Sequence, residues 1–200
     1  NSIIYNNILK PKIVQGLDYY HLGISNLYLI SKSNKYANGK IQSNIQHFSF
    51  IDHSGFRLDT LSGHFSMDTN FISLKDFVLK TPNSNINAEM MVYPASFETP
   101  ARSKNDLPNN IIIISNTIIS RKDLELLANG LTEKYKQQLD ELGDIILNAK
   151  IEGNGKELLI HQLSINSSHA NALEAQLAGI LRNGSDKKKL QYSIIIDYIL

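Results

Sequence analysis

A chain of 200 residues with 20 Lys and Arg against 19 Asp and Glu has a formal net charge of +1, so nothing draws it to nucleic acid. The absence of cysteine excludes disulfides and thiolate metal sites. No apolar run approaches the ~18 residues a membrane-spanning helix needs, and the four isoleucines at 111–114 are far too few.

In chain order, the dominant signal is period-two alternation in short segments rich in Ile, Leu, Phe and Tyr. Strands are expected at 19–31, 39–52 and 55–67, then in the stretch "FISLKDFVLKTPNS" at 71–84, whose end is a turn, and at 85–93. The segment 93–110 holds prolines and no apolar period, so it reads as a loop and the best internal boundary. A strand follows at 110–115. Residues 120–142 break the pattern and read as one amphipathic helix. Ser120 and Asp123 give a capping-box start, and Leu124, Leu127, Leu131, Tyr135, Leu139 and Leu142 form its apolar face. Gly130 weakens that helix and Gly143 is placed to end it. Further strands are expected at 144–153, 157–166, 172–181 and 190–200, with Asn-Gly turns at 38–39, 154–155 and 183–184. The default assembly is an antiparallel meander, mainly β. Four sections are expected: sheet at 1–93, loop and strand at 94–119, an inserted helix at 120–142, and sheet again at 143–200. The chain begins at Asn1 and ends in strand-like "SIIIDYIL", and reads as part of a longer protein.

Within several strands the alternation skips a beat. Writing Φ for an apolar residue, the pattern Φ-x-Φ-x-x-Φ-x-Φ fits Ile72, Leu74, Phe77 and Leu79. It fits again at Leu22, Ile24, Leu27 and Leu29, and at Leu158, Ile160, Leu163 and Ile165. Successive copies start 50 and then 86 residues apart, which suggests that loop and helix are inserted into a repetitive sheet. Side chains alternate faces with period two, so an extra residue would throw the second pair onto the wrong side. A β-bulge at the x-x pair restores both pairs to one face and bends the strand. Bulges repeated at one level would bend a sheet along a line and leave a trough with an apolar lining. The twelve template positions are the expected lining; the alternative is that they fill the core of a closed β-sandwich.

Catalytic motifs are missing. "GNGKEL" at 153–158 has Glu157 where a phosphate loop needs Ser or Thr, and reads as a hairpin turn. The histidines at 21, 47, 53, 64, 161 and 169 lack ligand spacing, and neither a nucleophile elbow nor paired carboxylates occur. The run of three lysines at 187–189 beside Asp186 reads as a solvated turn. No cofactor or metal is expected, and the chain is not expected to be an enzyme.

The stretch 54–93, with "SGF" at 54–56, the skipped strand at 72–79 and "TPNS" at 81–84, resembles the TamB and AsmA-like proteins of Gram-negative envelopes, in particular the Bacteroidetes-type versions. "TIISRKDLELL" at 117–127 is similar to that family's entry into a short helix, and 147–166 to its next strand pair. The loop at 94–110 has no counterpart there. The resemblance implies a long curved β-sheet, folded like a taco shell around an apolar groove. It implies a periplasmic location, an inner-membrane anchor outside this stretch, and phospholipid acyl chains as partners. It also implies support of outer-membrane protein assembly with a barrel partner of the TamA/BamA type. Two other readings stay open: a non-catalytic structural or interaction β module of a cell-surface protein, and a carbohydrate-active β-fold enzyme. The lack of Trp and of paired acids counts against the enzyme.

Overall fold

The computed structural model describes residues 2–13, 16–93, 110–127, 133–154, 157–169 and 174–182. Among these residues ten strands follow one another: β1 (Ser2–Asn6), β2 (His21–Ala37), β3 (Lys40–Asp52), β4 (Arg57–Met67), β5 (Ile72–Lys80), β6 (Asn85–Val92), β7 (Asn110–Ile119), β8 (Ile145–Gly153), β9 (Glu157–Ser167) and β10 (Glu174–Arg182). Two helices, α1 (Arg121–Leu127) and α2 (Glu133–Leu142), lie between β7 and β8. The strands form one sheet in the order β1 to β10, every neighbour antiparallel. The mainly β meander is therefore what the alternation predicted. A sandwich of two stacked sheets is not formed by the described residues.

The skipped beats are bulges. In β5, Leu74 sits opposite Met90 and Phe77 opposite Ala88, so Lys75 and Asp76 together face one residue of β6. Asp76 takes φ 51°, a left-handed conformation that Asp and Asn tolerate best after glycine. The same occurs in β2 between Ser25 and Tyr28, with Asn26 at φ 52°. In β9, Lys150 opposes Gln162 and Ile151 opposes Ile160, leaving His161 as the extra residue.

A fourth copy escaped the template. In β7, Ile112, Ile114, Thr117 and Ile119 flank a bulge at Ser115 and Asn116, the latter at φ 46°. Thr117 hid the copy because it is not apolar, although Ser-Asn at the x-x position repeats the Ser25-Asn26 of β2. The spacing argument is corrected accordingly: β2 to β5 is three strand steps and β5 to β9 is four, so the longer interval holds an extra strand as well as the helices. The bulges also fall at one level. Ile45 opposes Gly63, Gly63 approaches Phe77 and Lys75, and the row Phe77, Ala88, Ile114, Ala149, Leu163 and Leu177 runs directly beside the remaining bulges. Bulges aligned in this way crease the sheet along a line across the strands.

Several other expectations change. The single helix at 120–142 is two helices, and the weak helix formers Asn129 and Gly130 fall between them, in residues outside those described. Of the expected helical face, Leu131 and Tyr135 lie where no side chain is described, and Leu127 is exposed. Leu126, outside that face, packs against the core instead. Strand β1 was not foreseen, being five exposed residues that pair with 21–25 of β2. Strand β2 continues six residues past its expected end because the ladder to β3 carries the polar run 32–37 without any apolar rhythm. The expected strand at 190–200 and most of the loop at 94–110 lie outside the described residues.

Candidate functional site

Residues directly opposite each other in an antiparallel pair share a face. One row therefore runs Phe65, Leu74, Met90, Ile112, Ile151, Ile160 across six strands. The row beside it is Phe77, Ala88, Ile114, Ala149, Leu163, Leu177. Toward the turn end, Leu61 opposes Leu79, which opposes Ile86, while Thr117, Leu147, Ile165 and Ala175 line up beyond them. At the other end of the strands Met67, Ile72 and Val92 stand side by side. In β2, Ile24 opposes Ile3 and Asp52, and Leu29 opposes Phe48, whose other neighbour Leu61 belongs to the same face. The structure thus brings all twelve template positions onto one face. It adds Phe65, Met90, Ile112, Ile114, Leu147 and Ile151, on strands whose plain alternation or hidden bulge the template missed.

The reverse face alternates to polar residues: Gln42, Ser66 and Ser73 in one row, Asn44, His64 and Lys75 in the next, and Asn148 with Ser164 further along. Val78, Met91, Ile111, Ile113, Ile118, Ile146 and Leu159 are apolar exceptions on that side.

Burial separates a lining from a core. Among the described residues four apolar side chains are buried, namely Leu17, Phe56, Leu58 and Ala149. Eleven of the twelve template residues are half-buried, and Leu29 is 57% exposed. A closed sandwich would bury such residues almost completely. Their neighbours in the sheet cover their flanks, and apart from Leu22 and Leu79, which pack against the buried cluster at one end, the described residues place no second layer over their tips. At ~4.8 Å per strand step, the face from β2 to β9 extends roughly 34 Å across the strands.

One end of this face is closed. Leu17, Phe56 and Leu58 form the buried cluster, with Leu22, Phe48, Phe50, Leu61, Leu79 and Leu126 packed around it. Phe50 lies 6.0 Å from Phe56 and 5.6 Å from Phe48, ring centre to ring centre, in tilted pairs. Helix α1 is held there twice. The Leu17 N–H donates to the Leu126 carbonyl at 2.7 Å and the Tyr19 hydroxyl to the Leu127 carbonyl at 2.8 Å, satisfying two acceptors of the helix end. At its start, the Ser120 hydroxyl accepts from the Lys122 N–H, as a cap should. Asp123 does not complete the expected capping box. Its carboxylate, 3% exposed, accepts instead from the hydroxyls of Thr81 and Ser84 and from the Asn83 amide, all in the "TPNS" turn after β5. Helix α2 ends at Gly143, whose φ of 70° turns its N–H back to the Leu139 carbonyl at 2.9 Å.

A second buried acid fastens the approach to β2. Asp18, 2% exposed, accepts from the N–H groups of Ile13 at 2.8 Å and Tyr20 at 3.0 Å, and faces His21 Nδ1 at 2.9 Å. The Ile13 N–H, opposed by the cost of burial and aided by Tyr20 and His21, holds its carboxyl below the usual 3.8. A carboxyl lowered on folding stabilises the fold above its unfolded pKa, and that contribution fades as pH falls through the folded value. Acid below about 3.8 is therefore expected to loosen residues 13–21. Asp18→Asn should flatten the acid limb of a stability-against-pH curve measured by urea unfolding; an unchanged limb would show that the contacts are idle.

Among the described residues no group of three or more His, Asp or Glu is placed to hold a metal ion, and no helix is long and apolar enough to cross a membrane. No family model, curated protein or solved structure matches the chain.

Proposed function

We propose that this chain is a section of a bridge-like envelope protein that carries phospholipid along the apolar face of its sheet. The observation that carries the reading is the continuous apolar face shared by all twelve template residues, of which none is fully buried. The chemistry is passive. Acyl chains lie against Leu74, Phe77, Leu163 and their neighbours, each methylene removed from water contributes about 0.8 kcal/mol, and headgroups stay wet. The rows are continuous from strand to strand, so a chain can shift sideways without leaving apolar surface. The closed end at Leu17 and Leu126 gives the track a floor on one side. The resemblance to TamB and AsmA-like proteins supports a periplasmic location, with an inner-membrane anchor supplied by another segment. A barrel partner at the outer membrane, of the TamA/BamA type, belongs to the same reading.

The test is mass spectrometry of lipids extracted from protein purified in mild detergent, beside a variant with Leu74, Phe77 and Leu163 changed to Asp. The parent is expected to carry phospholipid and the folded variant to have lost it. A lipid-free parent together with an unfolded variant would sink the reading and favour a structural β module.

A further inference from the structure

The polar face carries a hollow of about 440 Å³ over β3, β4 and β5, to whose wall Phe65 of the apolar row also contributes. Its walls are rich in donors. Lys35 and Lys75 border it, Gln42 and Asn44 present amides, Ser66 and Ser73 present hydroxyls, and no carboxylate lines it. The strand register explains the grouping: Lys35 opposes Gln42, which opposes Ser66, which opposes Ser73, so these four share one row. Asn44 and Lys75 come from the adjacent row through their common neighbour His64. Phe71 and Met91 supply an apolar wall beside the donors.

Ser66 adds a second observation. Its Oγ is buried and has no hydrogen-bond partner among the described residues. An orphaned hydroxyl is a cost in the free protein. A turn of χ1 from one staggered well to another, a small cost for serine, can direct it at a group in the hollow.

We propose that this hollow binds an organic phosphate, its tetrahedral oxyanion held between the two lysines and the serine hydroxyls, its organic body against Phe71 and Met91. Two cations with surrounding amides and hydroxyls match the several acceptor oxygens of a phosphate. The space exceeds what a carboxylate alone would fill. The site lies on the reverse side of the sheet and stands whether or not lipid runs along the apolar face. A soluble phosphomonoester and a lipid headgroup share this chemistry.

The experiment is an NMR titration of backbone amides at constant ionic strength with three probes: inorganic phosphate, glycerol 3-phosphate, and a dihexanoyl phosphatidylglycerol kept below its micelle concentration. Saturable shifts centred on residues 42–44, 64–66 and 73–75 are expected. Lys35→Ala and Lys75→Ala should each weaken the best probe by about tenfold or more, the loss of one charge-assisted contact. Ser66→Ala should weaken binding while leaving Tm unchanged or raised, because the hydroxyl has no partner to lose in the free protein. Tighter binding of glycerol 3-phosphate identifies a soluble ligand, and tighter binding of the short lipid a headgroup; both support the site. The absence of saturation with all three probes overturns it. So do shifts that survive both lysine variants, and so does a Ser66→Ala that lowers Tm without altering binding, which would show the hydroxyl serving the fold alone.

Discussion

Truncating Phe56 to alanine is expected to lower the free energy of unfolding by about 3–5 kcal/mol, whereas the same change at Phe77 should cost only about 1–1.5 kcal/mol. The two residues have the same chemistry and different surroundings. Phe56 is 7% exposed, packs a tilted ring against Phe50 and sits beside Leu17 and Leu58 at the closed end, so its removal leaves a cavity. Phe77 is half-buried, flanked by strand neighbours and without cover over its tip among the described residues, so a truncation there removes contacts without enclosing a void. Urea unfolding followed by circular dichroism, with the slope checked for constancy, measures both. Equal costs at the two positions would mean that Phe77 belongs to a closed core, and the open lining would have to be abandoned.

Asp123→Ala is expected to cost about 3 kcal/mol and to release α1 from the sheet. Its carboxylate is the common acceptor for Thr81, Ser84 and Asn83, and two of those donors are themselves buried. Ser84 Oγ also accepts the Ser120 N–H at 2.9 Å, so the loss spreads to the start of the helix. Hydrogen bonds to a charged acceptor contribute about 1.5–3 kcal/mol each, but the freed hydroxyls can turn to other partners, which keeps the total near about 3 kcal/mol and below the sum of the three. Asp123→Asn keeps the shape and one acceptor oxygen and should fall between parent and alanine variant. Amide hydrogen exchange at 121–127 and at Leu17 provides the local readout, since Leu17 donates to the helix end. If those amides stay protected in the alanine variant, the "TPNS" turn does not fasten the helix and the packing of Leu126 alone must do so.

These two variants probe what the chain pattern could and could not convey. The alternation in β5 and β9 disclosed which residues share a face, because face parity depends on the strand's own residues and their count. It also disclosed where the bulges fall, since an Asn or Asp after a polar residue at the skipped beat accepts the left-handed conformation, as at Asn26 and Asp76. The copy in β7 was legible only in that second signal, with Ser115-Asn116 in place and Thr117 standing where an apolar residue was expected. Thr117 is 1% exposed, because it donates to the Asn87 carbonyl and accepts the Asn87 N–H, a partnership 30 residues distant.

The sequence by itself determined the strands other than β1, their order as a meander, the apolar face and the crease, since each depends on neighbours within a strand or across a short turn. Only the tertiary structure decided that the helical segment is two pieces, that Leu126 and not Leu127 meets the core, and that one end of the face is closed while the described residues leave the rest of it uncovered. Those outcomes rest on pairs far apart in the chain: Asp123 with Thr81, 42 residues away, and Leu17 with Leu126. A helix of seven residues has several leucines that could face inward, and its own periodicity cannot choose among them. A buried carboxylate that must be satisfied at one point fixes its rotation, and the partners that satisfy it are brought together only when the sheet has formed.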